Sequence, residues 1–147
     1  MIPDFDDEGK LPPGKHACTL EDVEKRFVYN TTRKTIFEGL NKLIEVLKSV
    51  SCGTIYIDGS FVTSKPRPGD VDVCWQEGTG TNYAYEYANA PILNPTPANR
   101  RHHAQIFKAD VFPADVVEVS SKKYFLDFFQ DDKHTGKRKG ILKIDLL

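Results

Sequence analysis

The most informative part of this chain is Ile57-Asp58-Gly59-Ser60, which nine residues separate from Asp70-Val71-Asp72-Val73. The residues that lead into it, 54–57, are β-branched or aromatic, which favours a strand that ends at the Asp-Gly-Ser. Residues 70–75 alternate between two kinds of side chain, which predicts a second strand with two distinct faces. The nine residues between them contain two prolines and a glycine, so we expect a loop or a single helical turn.

Asp70 and Asp72 lie two positions apart, so on a strand both carboxylates project from the same face. Two such carboxylates repel each other unless a cation lies between them, and Mg²⁺ prefers oxygen ligands of this kind. Gly59-Ser60 lets the backbone approach an anion closely, and a helical turn beginning there directs N–H groups towards it. Taken singly, the Asp-x-Asp is more often a solvated strand face and the Gly-Ser a plain turn. Their combination is rarer and favours a phosphate-binding loop that faces a metal site.

At these positions the sequence resembles the nucleotidyltransferase superfamily, which has the DNA polymerase beta-like fold. The pattern of that superfamily is an apolar strand, Gly-Ser, a short loop, an Asp-x-Asp in a second strand and a third acid on a later strand. Asp110, within Ala109-Asp110-Val111-Phe112, is similar to that third acid. Asp115 is the alternative, although Pro113 before it indicates that the strand has ended. The resemblance covers residues 31–119 and is to minimal bacterial and phage nucleotidyltransferase-like proteins, some of them partners of toxins.

The resemblance implies an enzyme that moves a nucleoside monophosphate from a nucleoside triphosphate, such as ATP, to a hydroxyl of an RNA, protein or small-molecule acceptor. It also implies Mg²⁺ or Mn²⁺ as the cofactor. The catalytic and metal-binding residues that it implies are Asp70, Asp72 and Asp110. The nucleotide-binding residues are Gly59 and Ser60, joined by Lys65 and Arg67, for which a solvated loop is an equally good interpretation.

Three departures from the superfamily pattern keep a second function open. Asp58 occupies a position that is usually apolar, and the Ala-Arg-Gly of toxin-linked members is replaced by residues 61–65. The chain after Asp110 is short for an acceptor-binding domain. The alternative is therefore a catalytically inactive binding module of the same fold, such as an antitoxin or a defence-system partner, or more weakly a nucleotide sensor. The short C-terminal part leaves two alternatives open: a partner protein that holds the acceptor, or no acceptor at all.

The composition is that of an ordinary globular chain. It has 147 residues, 39% of them hydrophobic and 28% charged, which allows a real core and excludes a disordered protein. Lys and Arg number 20 and Asp and Glu 21, so the net charge is −1. This excludes a generally basic nucleic-acid coat but permits a local basic site. We expect one nucleotidyltransferase-like domain over residues 1–147, with residues 1–15 as an extended arm.

The cellular location is predicted from the apolar runs, the N-terminus and the cysteine pattern of the sequence. No apolar run approaches the roughly 18 residues needed to span a bilayer, and the acidic N-terminus is unlike a signal peptide. The three cysteines, Cys18, Cys52 and Cys74, are widely spaced and form no CxxC pair. This pattern favours reduced, mostly buried thiols in a cytoplasmic protein that does not bind membranes.

The periodicity along the chain predicts an α+β protein with a mixed sheet flanked by helices. The predicted helices cover residues 20–27, 31–49, 83–89 and 122–129. Their expected N-caps are Thr19, then Asn30 or Thr31, and for the last helix Ser120 or Ser121. The predicted later strands cover residues 104–112 and 141–146, whereas residues 90–101 are expected to be irregular.

Two basic segments are interpreted first as solvated surface. Arg100-Arg101-His102-His103 precedes the Asp110 strand, where the alternative is contact with nucleotide phosphates or with an RNA or protein acceptor. The second cluster comprises Lys133, Lys137, Arg138 and Lys139, for which a weak RNA footprint is the alternative. The tyrosines of the 83–89 helix are expected to pack half-buried rather than to stack on a base.

Overall fold

The two strands that flank the Gly-Ser loop lie next to each other inside a five-stranded mixed sheet. The computed structural model describes residues 2–147. Its strands are β1 (Gly14–Ala17), β2 (Thr54–Asp58), β3 (Val71–Trp75), β4 (Ala109–Pro113), β5 (Val117–Glu118), β6 (Lys123–Tyr124) and β7 (Gly140–Asp145). The sheet order is β1-β7-β2-β3-β4, in which β2 is antiparallel to both neighbours while the outer pairs are parallel. The predicted α+β class is therefore confirmed.

Five α-helices pack against or beside this sheet in the described residues. They are α1 (Leu20–Phe27), α2 (Thr31–Ser49), α3 (Tyr83–Asn89), α4 (Pro97–His102) and α5 (Phe125–Phe128). The predicted caps of the first two are confirmed, because Thr19 accepts a hydrogen bond from the Asp22 N–H and Asn30 from the Arg33 N–H. The apolar stripe of α2 is buried in the main core together with the inward side chains of β2, β3 and β4.

The central sheet has one face for the core and one for polar groups. Ile57, Val73 and Val111 are aligned across β2, β3 and β4, and all three are fully buried in the main core. Neighbouring positions on each strand point the other way. On that second face Tyr56 and Cys74 join a smaller apolar cluster, which includes Leu126 and Phe129 of the α5 segment.

The segment between α3 and β4 differs from the prediction. Residues 90–101 contain a 3₁₀ turn, Pro91–Leu93, and most of α4, and a π-helical turn follows over His103–Phe107. Helix α4 forms because Thr96 caps it and Pro97 occupies its first turn. The chain leaves the helical conformation at Lys108, where φ is +52°. The strand predicted to begin at residue 104 therefore begins at Ala109.

The helix predicted over residues 122–129 is also shorter than expected and covers only α5. Neither Ser120 nor Ser121 caps it, because the helix begins only at Phe125, with Tyr124 in the N-cap position. Lys122 has a φ of +60°, and the next two residues pair with β5 as strand β6. At the other end of the chain, the extended arm gives way at Gly14 to β1, which the sequence did not reveal.

The structure also bears on the expectations about membrane-spanning segments and about the cysteines. Among the described residues, no helix is long and apolar enough to cross a membrane. Cys18, Cys52 and Cys74 are all free thiols, and the last two are buried.

Arg33 is the polar group on which the loop after β2 depends. It lies on the apolar stripe of α2 and is fully buried. Its Nη1 donates to the carbonyl of Phe61 at 2.6 Å, and its Nη2 donates to the carbonyls of Thr63, at 2.9 Å, and Lys65. No carboxylate in residues 2–147 forms a salt bridge with it. The guanidinium is therefore balanced by carbonyl dipoles, and it fixes the path of residues 61–65.

We expect Arg33→Lys to lower the free energy of unfolding by about 2–4 kcal/mol. A lysine ammonium cannot reproduce the planar fork, so buried carbonyls are left without donors. Urea unfolding followed by circular dichroism measures the change, with the exposed Arg101→Lys as the matched control. A variant as stable as the wild type would contradict the role given to this guanidinium.

Candidate metal and phosphate site

Three aspartates form one row across neighbouring strands of the polar sheet face. Asp58 of β2 is paired in register with Asp72 of β3, and Asp72 with Asp110 of β4. Because paired residues of adjacent strands point to the same face, the three carboxylates lie side by side. Asp70 precedes β3 by one residue, two positions before Asp72. Sheet register thus brings together acids that are far apart in sequence.

Asp70, Asp72 and Asp110 converge closely enough to share a cation. Each offers a carboxylate oxygen, and these oxygens lie within 4.8 Å of one another. All three residues are half-buried, so a bound ion would keep access to solvent or ligand. Carboxylate oxygens in this arrangement fit Mg²⁺ or Mn²⁺. Asp115, the alternative third acid, is exposed and lies beyond the end of β4.

The electrostatics of the cluster also favour a cation. Burial, followed by the charges of Asp58, Asp70 and Asp110, raises the pKa of Asp72 to about 7. The pKa of Asp70 is raised by burial and then by Asp110, while Lys133 and Lys65 act in the opposite direction. Mutual repulsion of this kind is relieved when a divalent ion replaces a proton.

A basic side chain stands at each end of the row of aspartates. Lys139 Nζ lies 3.3 Å from the Asp58 Oδ2, and Arg100 Nη2 lies 3.4 Å from the Asp110 Oδ1. Arg100 also stacks over the Phe112 ring, with its guanidinium carbon 4.9 Å from the ring centroid. The row is therefore bounded by Lys139 on the β7 side and by Arg100 on the β4 side.

Gly59 and Ser60 form a sharp turn directly over Asp72. Gly59 has a φ of +86°, and a Cβ there would lie 2.8 Å from the Asp72 Oδ2. Only glycine therefore fits this position without moving the carboxylate. Ser60 begins a 3₁₀ turn, Ser60–Val62, whose following residues are fixed by Arg33. The turn places Ser60 on the same cavity wall as Asp72, where its hydroxyl can donate to a phosphate.

A cavity of about 520 Å³ opens beside this turn. It includes Gly59, Ser60, Asp72 and, from the loop that follows, Lys65. Its other walls are the N-terminal arm, through Lys10, and the residues before β7, through Lys133, His134 and Lys139. The structure thus brings six of the seven site residues predicted from sequence to one place. The seventh, Arg67, is exposed and does not line the cavity. The roles of all seven in metal and nucleotide binding stay predictions.

Sequence reasoning overlooked several residues of this site. Lys133 and Lys139 were assigned to a solvated turn, because nothing in the sequence places residues 131–139 beside Gly59. Arg100 was likewise assigned to a polar loop, although it contacts Asp110. Arg33 could have been found, because it interrupts the apolar stripe of α2 at a position where a hydrophobic residue belongs.

The comparisons with known proteins place the chain in a family without defining an activity. The family model DUF6932, described as a family of unknown function, matches residues 3–145. The chain therefore belongs to this family. No curated protein and no solved structure matches the chain.

Asp72→Asn is expected to stabilise the metal-free protein at pH 8 and to change little near pH 4. The unfolded pKa of an aspartate is about 3.9, and the folded pKa of Asp72 is about 7. The stability associated with this proton is therefore complete below pH 4 and is lost as the pH rises through 7. The gain at pH 8 is on the order of 2 kcal/mol, measured by urea unfolding with EDTA.

Mg²⁺ should raise the melting temperature of the wild type at pH 8 and leave that of Asp72→Asn almost unchanged. The exposed Asp115→Asn serves as the control and should behave as the wild type does. Strong destabilisation of the metal-free Asp72→Asn protein would mean that this carboxylate is a structural hydrogen-bond acceptor instead.

Gly59→Ala should weaken Mn²⁺ binding as well as stability. Positive φ strains an alanine by about 1 kcal/mol, and its Cβ additionally displaces the Asp72 carboxylate. Gly80→Ala is the matched control, because Gly80 also has a positive φ but nothing lies near its added Cβ. Calorimetric titration with Mn²⁺ separates the two, and equal Mn²⁺ affinity in both variants would contradict the close approach.

Proposed function

We propose that this protein is a metal-dependent nucleotidyltransferase, which transfers a nucleoside monophosphate from a nucleoside triphosphate to an acceptor hydroxyl. The observation that carries the proposal is the convergence of Asp70, Asp72 and Asp110 directly beside the Gly59-Ser60 turn. A cluster of acids alone has many uses. A cluster that shares a wall with a lysine-lined cavity suits a substrate that brings both phosphates and a divalent cation.

One group of site residues would hold the metal ion at the phosphate that is transferred, and a second group binds the other phosphates of the triphosphate. Asp70, Asp72 and Asp110 would hold Mg²⁺ or Mn²⁺, which when bound neutralises phosphate charge and favours an in-line displacement at phosphorus. Gly59 and Ser60 bind the phosphates beyond the one transferred. Lys65, which is exposed and lines the cavity, adds a positive charge to that group.

The acceptor enters from the β4 side of the site. Strand β4 is at the edge of the sheet, so Asp110 is approached without crossing another strand. In the transfer, the acceptor oxygen forms a bond to the α-phosphorus while the bond to the bridging oxygen of pyrophosphate breaks. The hydroxyl proton leaves to the Asp110 carboxylate, and pyrophosphate departs into the cavity.

The test is transfer from α-³²P-labelled triphosphates in the presence of Mg²⁺ or Mn²⁺. Cellular RNA and a cellular protein extract are offered separately as acceptors. The expected result is nucleotide binding by the protein alone and labelled acceptor plus pyrophosphate when the acceptor is supplied. The double variant Asp70→Asn, Asp72→Asn should lower the rate by more than about 100-fold, with Asp115→Asn as the matched control.

Two outcomes would overturn the proposal in different ways. If millimolar triphosphate with either metal does not bind, the phosphate and metal assignment is wrong. If triphosphate binds but no acceptor is labelled, a non-catalytic binding module, for example an antitoxin, takes its place. Circular dichroism of the double variant should match that of the wild type, because Val71 and Val73 anchor β3 in the core.

A further inference from the structure

The residues between α5 and β7, 129–139, form a wall of the site although they are distant from it in sequence. We refer to them as the C-terminal loop. Lys133, His134 and Lys139 of this loop line the same cavity as Gly59 and Ser60. The loop therefore adds basic groups to the side of the aspartate row that faces away from the acceptor edge.

The C-terminal loop is held in a defined shape. The Asp132 Oδ1 accepts hydrogen bonds from the N–H groups of His134, at 2.8 Å, and Thr135, at 3.3 Å. The other oxygen of Asp132 pairs with Lys10 of the N-terminal arm. The Lys139 N–H donates to the Gln130 carbonyl at 2.8 Å and closes the loop. A loop fixed at both ends and in the middle can present its lysines with little loss of entropy on binding.

Asp58 of β2 forms an ion pair with Lys139 of the C-terminal loop. It is only 3% exposed, and neither carboxylate oxygen has a hydrogen-bond partner of good geometry. Its one close cation is Lys139, at 3.3 Å. A buried pair this poorly satisfied contributes little to stability. It does keep the Lys139 ammonium at the cavity wall, where that side chain remains 23% exposed.

Two further lysines of the cavity are free to bind an anion, whereas Lys10 is already paired with carboxylates. Lys65 and Lys133 form no salt bridge with any carboxylate in the described part of the chain, residues 2–147. Both are exposed, and both line the cavity that Asp72 also lines. The cavity thus holds two unpaired ammonium groups and a third tethered by Asp58.

The rest of the cavity wall identifies the part of a ligand that fits. Among the described residues the lining contains no phenylalanine, tyrosine or tryptophan, and its one aromatic ring is the imidazole of the exposed His134. Hydroxyls of Ser60, Thr63 and Ser64 line it as well. Of its four carboxylates, Glu8 and Asp132 pair with Lys10 and Asp58 pairs with Lys139, which leaves Asp72 of the metal cluster. Such a surface matches phosphate oxygens, which accept hydrogen bonds and attract cations from several directions.

We propose that the C-terminal loop completes an oligophosphate site, in which Lys133 and Lys139 bind the two terminal phosphates of the ligand opposite Ser60. The proposal deepens the proposed function, because these phosphates are the pyrophosphate that departs. It assigns Asp58 as the positioning residue for Lys139. The site selects for the number of phosphates and is indifferent to the base, since the base lies outside the cavity.

The test is calorimetric titration of the whole protein with inorganic tripolyphosphate, the four ribonucleoside triphosphates and AMP, each with Mg²⁺. Tripolyphosphate should bind and displace ATP. The four triphosphates should have dissociation constants within about 5-fold of one another, and AMP should bind at least about 100-fold more weakly. Lys133→Gln and Lys139→Gln should each weaken tripolyphosphate binding about 10-fold, whereas Lys137→Gln, exposed on the same loop, should not.

Lys139→Gln leaves Asp58 alone and buried, so the double variant Asp58→Asn, Lys139→Gln is measured beside it. The double variant removes both charges and should fold, yet bind tripolyphosphate as weakly as Lys139→Gln does. Wild-type affinity in this variant and in Lys133→Gln would overturn the proposal, as would AMP binding as tightly as ATP.

The results also separate this site from the transfer reaction. Lysine-dependent tripolyphosphate binding without transfer to any acceptor supports the oligophosphate site and contradicts the proposed enzyme. Transfer that is unaffected by Lys133→Gln and by the double variant supports the enzyme and contradicts the oligophosphate site.

Discussion

The buried guanidinium of Arg33 is the constraint from which the site is built. It replaces a hydrophobic residue on the core face of α2, and in doing so it provides donors for carbonyls of the loop after β2. Buried carbonyl groups need such partners, since an unsatisfied one costs about as much as a lost hydrogen bond. With the loop fixed, the Gly59-Ser60 turn is fixed over Asp72, and β3 can begin at Val71. The core of the protein thus determines the geometry of its most polar surface.

The second organising feature is the register of β2, β3 and β4. Alternation along each strand sends valine and isoleucine into the core and aspartate to the opposite face. Because Asp58, Asp72 and Asp110 share one row, a shift of a single residue in either pairing would separate them and bury a carboxylate. Lys139 and Arg100 close the row with opposite charge. A repulsive set of acids is in this way held in place by hydrophobic packing on the other side of the sheet.

Local sequence patterns predicted the local parts of this arrangement. The caps at Thr19 and Asn30, the long helix and the strands around the Gly-Ser could be predicted because neighbouring residues determine them. The start of the strand predicted from residue 104 was wrong, because His103–Phe107 forms a helical turn. Ile106 and Phe107 are both apolar in sequence, although only Phe107 is buried. The convergence of Asp110 with Asp72 was expected only from the resemblance to a family. The lysines of the C-terminal loop could not be predicted, because their position depends on pairing between distant strands.

Parallel pairing of β1 with β7 affects how the cavity forms during folding. His16 pairs with Leu142, so the N-terminal arm and the C-terminal loop reach their places only through contacts that span almost the whole chain. Contacts of this kind are slow to form, because a long loop must close before any favourable interaction is gained. A chain still being synthesised can form α1 and α2 early but has no closed cavity until residues 140–145 have left the ribosome. A fragment that lacks β7 would therefore have no closed cavity.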